Sequence, residues 1–384
     1  MNTNQLSIVR QDIQSYIDKG LMYGANIIIA QKGQIVMRES FGTVDGSRPM
    51  TADDLFLTMS LSKSFTAVLV LNAIEKGLFS LNTPVAQLFP EFAQHDKQFI
   101  SVYHLLCHQA GMYGKLIPPS PMTIEEAGDM NKWFEAICQM PARFVAGEKA
   151  GYSPIAGFTV LAKILEKTDP KQRSFAQIAI DELFAPLGMT DSRFGNAKND
   201  PRRVAVTHTP LMSKGQSTLS SVKETQDFLN GFANEGSVIA GGNAFCTIDD
   251  VFAFAENFRL NLQGQGVRIL SPAMANYATQ NHCGEMLNEV EGIEIFKNSP
   301  LSKNFQARFG LHGGYARGTG HVLTMCGYLA SPNAFGGMGG ASTYYLIDPK
   351  RELTVAFLSA GFIEGLGHLV RVAKMNDLII GACE

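Results

Sequence analysis

The chain has 384 residues, 45% apolar and 17% charged, the balance of a compact globular protein large enough for two ordinary domains or one α/β unit with an insertion. Its 32 Lys and Arg against 35 Asp and Glu leave a net charge of −3, with no basic stretch, which argues against a nucleic-acid partner. The opening MNTNQLSIVRQDIQSYIDKG is amphipathic and does not read as a signal peptide, and runs such as TAVLVLNAI (66–74) are too short to span a bilayer, so no membrane partner is expected.

In chain order, Leu6, Ile8, Val9, Ile13, Tyr16 and Ile17 recur at helical spacing over 5–19, and Gly20 follows as a stop signal. ANIIIAQKGQIVMRESFG (25–42) reads as a hairpin with its turn at Lys32-Gly33. LFLTMSLSKSFTAVLVLNAIEKGL (55–78) passes from a strand-like start into a helix apolar on nearly every face, the pattern of a buried helix. From about 80 to 235 the pattern turns helical, as in 129–140 and 155–168, with Pro- and Gly-bearing loops between. Near 245 another helix begins, and 342–348 and 353–360 read as strands joined through Pro349-Lys350. A last helix, GHLVRVAKMNDLII (367–380), follows. Strands at both ends with helices between predict a mixed α/β (α+β) fold. One sheet is built from 1–79 and 236–384, a helical domain from 80–235 is inserted, and the cleft between them is the expected site.

The six cysteines (107, 138, 246, 283, 326 and 383) form no CxxC pair, and reduced thiols in a cytoplasmic protein are expected. Ser60-Leu61-Ser62-Lys63 matches S-x-x-K. Residues three apart on a helix share a face, so hydroxyl and ammonium can meet. A serine needs a neighbour to take its proton, and a lysine with a pKa lowered by burial can do so. At typical Ser and Lys frequencies of about 6–7%, roughly one or two such matches arise by chance in a chain this long. Ser220-Ser221-Val222-Lys223 is one, but a polar run follows it, whereas Ser60 opens an apolar helix.

The run from Leu55 to Phe92 resembles the nucleophile region of the serine β-lactamase-like superfamily: class C β-lactamases, D-alanyl-D-alanine peptidases, family VIII carboxylesterases and related acyltransferases. ISVYHLLCHQAGM is similar to that family's I-T-x-x-H-L-L-T-H-T-S-G-L, and FVAGEKAGYSPIAGFTVLAKILEKTD to its Y-S-N segment. LFAPLGMTDSRF, VRILSPAMANYAT and GGMGGASTYYLIDP follow in the family's order, so the resemblance spans nearly the whole chain. It implies Ser60 as nucleophile, with Lys63 and Tyr152 sharing the proton shuttle. It leaves open which of the two is the base. It places an oxyanion hole at the N–H groups of Ser60 and Gly340, and substrate contacts near Met112, Pro154, Gly337, Met338 and Gly339. Two departures stand out: Pro154 replaces the usual Asn, and Gly337 replaces a Lys, His or Trp. Both remove polar groups that would hold a penicillin or peptide, and so favour a small neutral ester or thioester.

Other candidates compete less well. A phosphate loop at FGGMGGAS would need a Gly-Lys-Ser/Thr and a following helix, and has neither. His104, Cys107 and His108 lack the paired spacing of a zinc site, so no metal or cofactor is expected. His321 has no GxSxG elbow to serve. Methionines 59, 112 and 338 could line an acyl pocket, and Asp53 and Asp54 read as a solvated turn. The expected activity is a serine carboxylesterase on a small-molecule acyl substrate. The alternatives are an acyltransferase to an alcohol or amine, a β-lactamase or amidase, and a binding or sensor module that keeps the fold without the chemistry.

Overall fold

The computed structural model describes residues 2–210, 221–289, 306–363 and 366–383. The decoy serine at position 220 lies outside them. Among the described residues the strands are β1 (Gly24–Gln31), β2 (Gln34–Gly42), β3 (Phe56–Leu57), β4 (Arg193–Phe194), β5 (Ala244–Cys246), β6 (Tyr315–Ala316), β7 (Phe335–Gly339), β8 (Thr343–Asp348) and β9 (Leu353–Ala360). Six make one antiparallel sheet in the order β2-β1-β9-β8-β7-β6, and β3-β5-β4 make a small second sheet. The expected α+β class with an antiparallel sheet is what the chain adopts. The first hairpin turns at Lys32 (φ 53°) and Gly33 (φ 74°), the two left-handed residues that a tight turn matching strand twist requires. Residues β1 and β9 pair from Gly24↔Ala360 to Gln31↔Leu353, so the two ends of the chain share the centre of the sheet.

Each face of this sheet is covered by helices. Thr3–Asp18 and the C-terminal helix Leu366–Gly381 pack on one face, over Ile27, Ile29, Tyr344, Leu346, Val355 and Phe357. Asn2 caps the first helix by accepting from the Asn4 amide at 3.0 Å. Ile248–Asn261, capped by Thr247, packs against β8 and β9 on the other face. Beside it runs Ser62–Glu75, buried at eleven of its positions, as its uniformly apolar sequence dictates. Phe65 anchors it edge-on to Phe184 at 5.5 Å and Phe254 at 4.8 Å. Truncating such a ring to alanine costs about 3–5 kcal/mol.

The segment between β3 and β5 supplies helices Val102–Leu106, Met130–Gln139, Ala156–Thr168, Phe175–Ala179 and Val222–Gly231. Of these, Ala156–Thr168 and Phe175–Ala179 pack on Ser62–Glu75. The same segment also contributes β4, whose two residues pair with Phe245 and Ala244. Among the described residues no helix is long and apolar enough to cross a membrane.

Candidate active site

Ser60 does not sit inside an α-helix. It occupies a 3₁₀ turn, Met59–Leu61, that leads into Ser62–Glu75. The turn is fastened to β5: the Thr58 amide donates to the Ala244 carbonyl at 2.9 Å, and the Ala244 amide donates to Ser62 Oγ at 3.0 Å. Met59 is held at φ 49°, a left-handed conformation that costs a side-chain-bearing residue about 1–3 kcal/mol. Such strain persists only where surrounding contacts enforce it. N–H groups in the first turn have no acceptor within the helix, which leaves them to face an anion.

Lys63 is fully buried one turn on. Its Nζ lies 3.3 Å from Ser60 Oγ and donates to the carbonyls of Pro154 at 2.6 Å and Gly241 at 2.7 Å. Among the described residues no carboxylate bonds it, and burial drops its pKa to about 7. A neutral amine has two N–H bonds and one lone pair. The two carbonyls take the N–H bonds, so the lone pair is left for the Ser60 hydroxyl. Pro154 therefore acts through its backbone oxygen, a role open to any residue type. Gly241 went unnoticed in the sequence. A Cβ there would stand 2.9 Å from the Pro154 oxygen and 3.2 Å from Lys63 Nζ, so the approach requires glycine.

Tyr152 closes the other side, donating its hydroxyl to Ser60 Oγ at 2.6 Å. Burial raises its pKa to about 12, and the bond to Ser60 partly offsets that, so it is a neutral phenol at ordinary pH. His108 holds the Tyr152 segment. Its carbonyl accepts the Gly151 amide at 2.9 Å, its Nδ1 accepts the Ser153 amide at 3.1 Å, and its ring lies 4.7 Å from that of Tyr152. The proton is accordingly assigned to Nε2. Burial, with the Lys63 charge second, keeps this ring well below the usual histidine pKa, hence neutral.

Strand β7 runs past the nucleophile turn, and its glycines have separate reasons. A Cβ on Gly339 would fall 1.9 Å from the Thr58 carbonyl, itself bonded by Thr343 Oγ1 at 2.8 Å. This contact brings β7 against the Ser60 turn. Gly339→Ala is expected to cost about 1–3 kcal/mol or more by forcing the two apart, read as a lower urea midpoint; an unchanged midpoint would show that β7 is not held there. Gly337 is buried, and a Cβ on it would meet the Tyr345 ring at 2.6 Å and Ser64 Oγ at 2.8 Å. Tyr345, bonded to Ser64 Oγ at 2.9 Å, thus fills the space a larger side chain would need. Backbone direction alternates along the strand. The Gly339 carbonyl accepts from Ser342 on the β8 side and the Ala334 carbonyl from Arg317 on the β6 side, so Met338 and Gly340 turn their amides away from β8. Gly340 is exposed at the strand's end beside Met59.

The remaining candidates fall elsewhere. Met112 is buried in the core, 3% exposed. His104 Nδ1 accepts the Ser101 amide, Cys107 Sγ donates to the Tyr103 carbonyl, and His108 is engaged as described, so the three do not converge. His321 is exposed and stacked on Tyr328. Asp53 is exposed, but Asp54 corrects the reading of a solvated turn: it is 1% exposed, paired with Arg48 at 2.6 Å and accepting the Thr51 amide. Its carboxylate closes its own turn, and the Arg48 guanidinium covers it. A cavity of about 1230 Å³, lined by Glu125, Asp129, Glu166 and Asp227 among others, includes none of Ser60, Lys63 and Tyr152. Proton-transfer geometry, not volume, marks the site.

A family model described as Beta-lactamase matches residues 9–371. The chain belongs to the beta-lactamase family, a fold family of serine hydrolases. Esterase EstB of Burkholderia gladioli is 29% identical over 204 residues, 49% of this chain and 50% of that protein, so the match spans about half the length of the relative. Among solved structures, a family VIII carboxylesterase superposes with a TM-score of 0.77 at 20% identity, covering 98% of each chain. A penicillin-binding protein homologue from Caulobacter crescentus gives 0.76 at 19% identity, over 100% of this chain and 98% of that one. EstCE1, described as a hydrolase with promiscuous acyltransferase activity, gives 0.75 at 19%, again over 98% of each. At these identities the structural matches carry the fold alone.

Proposed function

We propose that the protein is a carboxylesterase that works through an acyl-enzyme on Ser60. The observation that carries this reading is the placement of one hydroxyl between a buried lysine at 3.3 Å and a tyrosine at 2.6 Å. The neutral Lys63 amine takes the Ser60 proton as Oγ attacks the acyl carbonyl. Negative charge moves onto the carbonyl oxygen, where the N–H groups of Ser60 and Gly340 receive it. As the C–O bond breaks, Tyr152 gives its proton to the leaving alcohol and is recharged by the Lys63 ammonium. Water, losing its proton to the same pair, then releases the acid.

Gly337 and Pro154 bring no side-chain charge or amide to the substrate, and Tyr345 occupies the room behind Gly337, which favours a neutral acyl group over a carboxylate-bearing lactam. Met338 and Gly339 would border it through the backbone, and Met112 would support it from the core. The same acyl-enzyme can pass to an alcohol in place of water. The acyltransferase activity in the description of EstCE1 supports keeping that reading, and product analysis in the presence of a primary alcohol separates the two.

Intact-protein mass spectrometry after exposure to p-nitrophenyl butyrate and, separately, to a fluorophosphonate tests the proposal. A covalent adduct is expected in the wild type and none in Ser60→Ala. A folded wild type with no adduct and no ester turnover would move the reading to a binding or sensor module. Appreciable turnover of a chromogenic cephalosporin would overturn the argument from Pro154 and Gly337.

A further inference from the structure

Behind the β7–β8 turn, on the face covered by the terminal helices, lies a buried polar cluster that the chemistry above does not use. His368 and Arg371, one turn apart on Leu366–Gly381, are 3% and 1% exposed. Arg371 Nη2 lies 3.1 Å from Ser359 Oγ, to which it donates, and 3.3 Å from His368 Nδ1. Ser359 Oγ in turn donates to the Ser342 carbonyl at 3.0 Å. Ser342 is fully buried at φ 69°, a left-handed residue at the tip of the turn, and its amide donates to the Gly339 carbonyl at 3.0 Å. Among the described residues no carboxylate bonds Arg371; its Nε and Nη1 have no hydrogen-bond partner, and its guanidinium lies over the Tyr16 and Phe357 rings. Asp12 acts on it only through its charge, and a buried cation with no acid bonded to it is costly, which calls for a reason.

The peptide between Gly339 and Gly340 supplies one. In a trans peptide C=O and N–H point in opposite directions. Whatever fixes the Gly339 oxygen on the β8 side therefore aims the Gly340 N–H the other way, away from β8 at the strand's end beside Met59. With Arg371 donating to His368 Nδ1, the imidazole proton sits on Nε2. The ring lies against the backbone of Gly339 and Thr343, and its Nε2 has no hydrogen-bond partner among the described residues. Hydrogen bonds that serve a transition state are often long before it forms.

We propose that His368 and Arg371 are positioning residues for the oxyanion hole, with Arg371 holding the turn through Ser359 and Ser342 while His368 backs the Gly339 carbonyl so that the Gly340 N–H stays aimed at the substrate. The proposal rests on the reading of Ser60 as an acylated nucleophile with Gly340 in its oxyanion hole. Polarising the Gly339 carbonyl also makes the Gly340 N–H a better donor as charge builds on the substrate.

The test is steady-state hydrolysis of p-nitrophenyl butyrate by wild type, His368→Leu, His368→Gln and Ser359→Ala, with the fluorophosphonate adduct and the dissociation constant of an arylboronic acid measured on each. Loss of one oxyanion donor costs about 10²–10³ in kcat, and a loosened one a part of that, about 10-fold or more. His368→Leu is expected to lower kcat by at least that factor at nearly constant KM and to weaken boronate binding in parallel. His368→Gln, which keeps an N–H near the Nε2 position, should recover most of both. Ser359→Ala should fall between. A reactive wild type with His368→Leu and Ser359→Ala within twofold of it in kcat would overturn the positioning role and leave Ser60 intact as nucleophile. If His368→Leu does not fold, His368→Gln and Ser359→Ala decide: a drop in Ser359→Ala supports the relay, and its absence overturns it. A wild type that forms no adduct overturns the Ser60 reading and the positioning role together.

Discussion

Lys63→Met is expected to lower kcat/KM for an activated ester by about 10³–10⁴, at the upper end of what a general base contributes. Methionine keeps the length and apolar stem and removes the basic nitrogen. In the wild type the rate should climb with pH through about 7, where Lys63 loses its proton, and level off above. The residual rate of the variant should show no such limb. The same shift makes a stability prediction whose sign is fixed. Burial lowers the folded-state pKa from the ordinary 10.5 to about 7, so between these values the unfolded chain binds the proton that the folded one has released. Stability therefore rises with pH across that window, and the penalty of a buried ammonium is fully present below it. The melting temperature of the wild type minus that of Lys63→Met should rise from pH 7 to 10, since every other titrating group is shared. A parallel pair of curves would mean that Lys63 is not desolvated, and the case for it as base would fall with them. The variant also strips the Pro154 and Gly241 carbonyls of their donor, so its absolute stability is not a measure of the lysine alone.

The legibility of these parts in the sequence follows from the range of the interactions that make them. The first hairpin, β9 and the buried helix are legible because β-branched and all-round apolar runs report burial directly; β9 spans 353–360, the run that reads as a strand, and is buried throughout. Ser60 and Lys63 were readable because three residues separate them. Tyr152 was placed only by resemblance, since nothing local says that it returns to 2.6 Å from a serine ninety-two positions earlier. Gly241 illustrates what local pattern cannot carry. Its requirement is the space that Lys63 and Pro154 leave, set by three distant segments. The two-residue strands β3 and β4 are too short for any periodicity and exist because β5 lies between them. Asp54 looked like a surface acid because the guanidinium that covers it is six residues away in a loop without pattern. Gly337 stands where the resemblance expects a Lys, His or Trp, and the structure adds that Tyr345 fills the space such a side chain would need. The sequence signal that could have found it was the paired tyrosines of β8, one for each face of the sheet.

Tyr152→Phe is expected to lower kcat by about 10²–10³, within the range of one positioned proton carrier, while KM changes little. The ring's packing against His108 and Phe309 survives, so the protein should fold as before. What goes is the donor at 2.6 Å from Ser60 Oγ and the acid that protonates the leaving alcohol. Between pH about 7 and about 12 Lys63 is neutral while Tyr152, raised by burial, keeps its proton, which favours the phenol as acid and the amine as base. Leaving groups separate the two roles. A p-nitrophenolate departs without a proton, whereas an alkoxide needs one, so the variant should lose several-fold more on an ethyl or butyl ester than on the nitrophenyl ester of the same acid. The rise in rate near pH 7 should remain, since Lys63 is untouched. Were Tyr152 instead the base, the deficit would be the same for both esters and the limb near 7 would vanish. A pH profile on the two substrates, wild type against variant, therefore decides which of the two residues takes the serine proton.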